Sequence, residues 1–196
     1  MPSFTKLVAF TSYIALALGA AHPHLNAINT HCPDAQQIKT ESHAVNGGVL
    51  TISDFSCASA GTSARELDIL EKKSTVDVCN VLCTASCNDN AGSLPPVVAD
   101  CDKIVSGVQI LGTNLPTEFT VAKGGTKVLT FDTCSFIFTN KGISSQSQCF
   151  KSFVTQASTA GAGCFPPVQP FFSEGVCTAT GSNGWTVAAA HSPPSS

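Results

Sequence analysis

The residues with the most chemistry to offer are ten cysteines: Cys32, Cys57, Cys79, Cys83, Cys87, Cys101, Cys134, Cys149, Cys164 and Cys177. Thiols can hold a metal, act as nucleophiles, or pair. The densest group, Cys79-x3-Cys83-x3-Cys87, has a spacing open to a zinc site or to bridges. The compartment separates the two. Lys6 gives a positive start, residues 7–18 form an apolar stretch, and Gly19 and Ala21 fit positions −3 and −1 of a cleavage site. This predicts a secretory signal over residues 1–21, processed after Ala21. An even number of cysteines in an exported chain implies disulfides, so five bridges and no metal or other cofactor are expected. If Cys79, Cys83 and Cys87 lie on a helix they share one face and staple it to two or three other elements. The connectivity stays open.

Other reactive groups are sparse. Cleavage after Ala21 leaves His22-Pro23-His24 as the new start. An N-terminal histidine can bind copper through its amine and ring, and a brace would need a second imidazole from His31, His43 or His191. A peptide-type copper site is disfavoured because Pro23 has no N–H to lose. Paired carboxylates could hydrolyse a glycoside. However, Asp100 and Asp102 have a helix-end explanation, and Asp132 marks a bulge or an exposed strand face. No Gly-x-Ser-x-Gly elbow or phosphate-cradling loop is present. Trp185 is the candidate ligand-binding residue: its ring could stack on a sugar, or plug the core beside a final strand. The phenylalanines read as core.

These residues must be placed by a small, weakly charged fold. Charged residues make up 12% and apolar residues 43%, too apolar for a disordered chain. A net charge of −3 without a basic cluster argues against a nucleic-acid partner. No segment after the signal is apolar enough to span a bilayer. Two cysteines precede the dibasic pair Lys72-Lys73 and eight follow it, so each side can close its own bridges. This predicts a small N-terminal β-hairpin unit over 22–73, a disulfide-rich αβ domain over 74–190 and a flexible tail over 191–196. Lys72 and Lys73 are also a candidate processing site, which would make 22–73 a pro-segment.

Gly47-Gly48 divides two strand-like runs, 36–45 and 49–55, and a Cys32–Cys57 bridge would close that hairpin. Asp100 is expected to cap a helix whose stripe is Cys101, Ile104, Val105, Val108 and Leu111. Residues 119–121 read as a strand and 127–139 as a long one. The apolar parity of the long strand changes between Phe131 and Cys134, which calls for a bulge at Asp132-Thr133 or for cover on both faces. A second helix is predicted over 146–159, then two strands around Asn183-Gly184. An α+β fold follows: an antiparallel sheet with two helices packed on it, an αβ-sandwich rich in disulfides.

The order Asp100-Cys101-x-x-Ile104, Phe119-Thr-Val121, Phe131-x-Thr-Cys134-x-Phe136 is similar to the fungal necrosis-effector family of the killer-toxin-like αβ-sandwich type. The wider spacing, from Val78-Cys79 to Cys87 and on to the Trp185 strand, resembles more closely uncharacterised secreted proteins of mushroom-forming fungi. The resemblance covers residues 79–187 and implies the sandwich fold and an extracellular, effector-like role. The expectation is therefore a secreted, non-enzymatic, cysteine-rich protein whose partner is an extracellular protein or glycan. The alternatives are a carbohydrate-binding module or lectin using Trp185, and a small copper-dependent enzyme using His22.

Overall fold

A computed structural model describes residues 25–45, 47–57, 75–112 and 114–192. The expected processing residues Ala21, Lys72 and Lys73, the histidines His22 and His24, and the tail from 193 lie outside these residues. The elements run α1 (Leu25–His31), β1 (Gln36–Val45), β2 (Gly48–Ser56), β3 (Val76–Asp77), β4 (Thr84–Asn88), α2 (Val98–Leu111), β5 (Glu118–Val121), β6 (Gly125–Phe131), β7 (Cys134–Asn140), β8 (Gln146–Cys149), α3 (Phe150–Ala162), β9 (Glu174–Ala179) and β10 (Trp185–His191). Seven strands form an antiparallel sheet in the order β1-β2-β6-β7-β10-β9-β4, and β3-β8-β5 form a smaller one. The expected disulfide-rich α+β fold is present.

Both faces of the large sheet are covered. The faces of α2 and α3 carrying Ile104, Val108, Phe153, Val154 and Ala157 bury Leu129, Phe136, Phe138 and Trp185 on one side. On the other side, Ala27 and Ile28 of α1 pack with Val128, Ile137, Ala188 and Ala190. Every residue of β7 is therefore buried, which accounts for the run Phe136-Ile137-Phe138. Its parity change has another cause than a bulge. Asp132-Thr133 is a two-residue turn, with Asp132 at φ 45°, and Phe131 pairs with Cys134 across it. The hairpin returns Leu129, Phe131, Cys134, Phe136 and Phe138 to one face, because directly paired residues point the same way.

Three further expectations are corrected. First, α2 begins at Val98 rather than after Asp100, and its N-cap position is Val97, without a side-chain cap. Asp100 sits in the first turn, where it accepts hydrogen bonds from the Thr133 hydroxyl (2.7 Å) and amide (3.3 Å). Together with the Cys101–Cys134 bridge, this ties the helix start to the β6–β7 turn. Second, 146–149 is a strand and the helix starts at Phe150. The β8 backbone is claimed by β5 and β3, and its buried glutamines donate from their side-chain nitrogens: Gln146 to the Asn183 carbonyl (2.9 Å) and Gln148 to Gln156 (3.0 Å). Third, the N-terminal hairpin does not stand apart, because β2 pairs with β6 over six residue pairs. Gly107 of α2 meets it closely: a Cβ there would lie 3.2 Å from both Leu50 and Val45 side chains.

Candidate functional site

The bridges obey the even split expected at the dibasic pair. Cys32 bonds Cys57, and the other eight pair as Cys79–Cys149, Cys83–Cys177, Cys87–Cys164 and Cys101–Cys134. Cys79, Cys83 and Cys87 take three separate partners, as the spacing suggested, but from an extended segment instead of a helix. Cys79 lies in a turn and Cys87 in β4. Among the described residues, the one triad with metal-ligand spacing is Cys79, Cys149 and Glu118. Its two sulfurs are bonded to each other, so they are not thiolate ligands.

These bridges build a groove between α3 and the segment 80–85. Phe150, Phe153, Val154 and Ala157 turn into the core, which leaves Ser152, Thr155, Gln156 and Thr159 on the opposite side of α3. Across from them, Asn80 accepts a hydrogen bond from Ser152 (2.7 Å), and the Val81 carbonyl accepts one from Gln156 (3.0 Å). Ala85, Cys83 and Cys177 complete a cavity of about 530 Å³. Leu82 stands at its rim, 91% exposed, beside Val81. Gly175 permits the close seat of α3 on β9, since a Cβ there would run into the Ala160 carbonyl. Lys151 is the one ionisable side chain in the lining. A groove of this volume is within the usual range for ligand sites, but without an acid–base pair it offers binding more readily than catalysis.

Titratable groups gather at two other places. His31 of α1 pairs with Glu174 of β9; the His31 side chain is nearly buried, the Glu174 side chain fully so, and one Glu174 oxygen has no partner. His31 also borders a cavity of about 260 Å³ with Lys123, Asn140 and Lys141. On the helix-side face near β1, Lys127 is buried, 2.5 Å from Asp54 and 5.3 Å above the Phe119 ring. Lys39, Glu41 and His43 stand beside them along β1. The hydrogen bond and charge of Lys39 hold the Glu41 carboxyl below its ordinary value, and Glu41 raises Lys39 in return. Asp54–Lys127 is a cross-strand ion pair between β2 and β6, while Lys39, Glu41 and His43 pair along β1 itself.

The structure corrects the ligand-binding role expected of Trp185. The indole is 1% exposed and stacks on Phe138 with centroids 5.9 Å apart, so no ring face is left for a sugar. Of the three imidazoles considered for copper, His31 is engaged by Glu174, while His43 and His191 lie on β1 and at the end of β10. Asp132 is exposed in a turn. Sequence reasoning missed both the groove and the His31–Glu174 pair. The groove had a faint signal, a helix whose polar side holds Ser, Thr and Gln with a single lysine. The pair had none, its members being 143 residues apart. No family model, curated protein or solved structure matches this chain.

Proposed function

We propose that this chain is a secreted, non-enzymatic interaction protein that binds an extracellular protein across the face formed by α3 and the segment 80–85. Five disulfides suit a protein that folds in an oxidising, extracellular compartment. The observation that carries the reading is the groove itself: apolar, hydroxyl and amide groups, one ionisable side chain, and Leu82 almost fully exposed at the rim. Single exposed apolar residues are ordinary, and Leu82 is singled out because it also borders the cavity. An effector-like role, suggested by the motifs between Asp100 and Phe138, is part of this proposal. Burial of Trp185 removes the residue on which the lectin alternative depended.

The test places a photo-crosslinking amino acid at position 82, with exposed Ile143 as a control. The expected result is a discrete crosslinked partner from position 82 alone, lost in competition with unlabelled protein but not with Leu82→Asp. Reproducible turnover of a polysaccharide or peptide by the pure protein would refute the non-enzymatic reading. Equal crosslinking from both positions would refute the choice of face.

A further inference from the structure

The two margins of the seven-stranded sheet differ in kind. β1 is a guarded edge: its register is broken between Gln37 and Lys39, and it carries Lys39, Glu41 and His43. Bulges and charged side chains are the common means by which an edge strand resists pairing with another chain. β4, at the other margin, has none of these. Its sequence is Thr-Ala-Ser-Cys-Asn, without charge or proline, and it pairs with β9 in unbroken register from Thr84↔Thr178 to Asn88↔Glu174. Thr84, Ala85 and Ser86 are exposed, and among the described residues no second strand pairs with β4. In an antiparallel ladder alternate residues direct both N–H and C=O away from the existing partner. β4 therefore presents a short row of backbone donors and acceptors, flanked by side chains too small to hold another backbone off.

This edge is also rigid. Cys83 just before it and Cys87 within it are bonded to Cys177 and Cys164, so little ordering cost remains when something binds. The groove lies directly alongside, with Ala85 and Cys83 in its lining.

We propose that β4 receives an extended segment of the partner polypeptide as an eighth strand, with alternate side chains entering the groove and an acidic one meeting Lys151. This rests on the reading that the α3 face is the binding surface. Backbone complementarity calls for an extended chain, since a helix or a glycan has no matching ladder to offer. The charge follows from the lining, because α3 contains Lys151 and no acid.

The test pans a displayed library of random dodecapeptides against the mature, disulfide-intact protein. Enriched peptides should alternate apolar or β-branched residues with polar ones and contain an Asp or Glu. A synthetic winner should slow amide exchange at alternate residues of β4. N-methylation of its pairing amides, which leaves the protein untouched, should weaken binding about tenfold or more, and Lys151→Glu should weaken it selectively for acidic peptides. Three outcomes overturn the proposal. One is no enrichment at all. Another is a concentration-dependent dimer that protects the β4 amides, which would make a second copy the occupant. The last is peptides displaced by Leu82 substitutions that leave β4 exchange unchanged, which would refute strand addition while leaving the binding face intact.

Discussion

Replacing Trp185 with alanine separates a core role from a ligand-binding one. Among the described residues Trp185 is the largest fully buried side chain, stacked on Phe138, whose ring in turn meets Phe119 and Phe153 edge-on. An aromatic of this kind removes about 150–250 Å² from water. At roughly 25 cal/mol per Å² its transfer alone is worth about 4–6 kcal/mol, an upper bound for a compact unfolded reference. Measured truncations of buried aromatics cost about 3–5 kcal/mol, because neighbours collapse only partly into the space. For a domain of this size such a loss lowers Tm by about 10 °C. Trp185→Phe should keep the stacking partner and lose roughly half as much. The assay is calorimetry of the three proteins with bridges intact. Trp185 is the only tryptophan in the chain, so fluorescence gives an independent readout: emission should be blue-shifted and resist aqueous quenchers until unfolding. Two results would refute the reasoning. One is an alanine variant with unchanged Tm. The other is glycan binding that the substitution abolishes without loss of stability.

Replacing both Cys101 and Cys134 with serine opens a link spanning 33 residues, for which unfolded-chain entropy gives about 3–4 kcal/mol. Calorimetry should show that loss, and exchange should rise first at the α2 start, which then relies on the hydrogen bonds of Thr133 with Asp100 and with the Val97 amide. His191 supplies a pH dependence. Partial burial pushes its imidazole below the ordinary value of 6.5, so between the lowered value and 6.5 the unfolded chain holds more protons. Stability should therefore fall as pH drops through that window, and a His191→Gln comparison of Tm against pH should show a flatter profile there.

Much of the fold was legible locally. Glycine at 47–48 and Asn183-Gly184 marked real hairpin turns, and the stripes around Ile104 and Phe153 marked real helices. The errors fell where distant partners override local preference. The stretch 146–149 lacks a strand pattern and is held extended by β3 and β5, whose backbones come from residues 76–77 and 118–121. The parity change at Asp132 was visible, but its resolution as a turn lies in the pairing of Phe131 with Cys134 across it.

The amino-acid sequence by itself determined the class of this protein. A count of ten thiols, low charge and alternating apolar runs specify a crosslinked α+β chain, because these depend on composition and short-range periodicity. Tertiary structure decided which cysteine meets which, that Trp185 is sealed inside, that Glu174 lies under His31, and that β4, beside a groove, has β9 as its one strand partner among the described residues. The bridges of Cys79, Cys83 and Cys87 and the His31–Glu174 pair join residues 70 to 143 positions apart, and only packing brings such residues together.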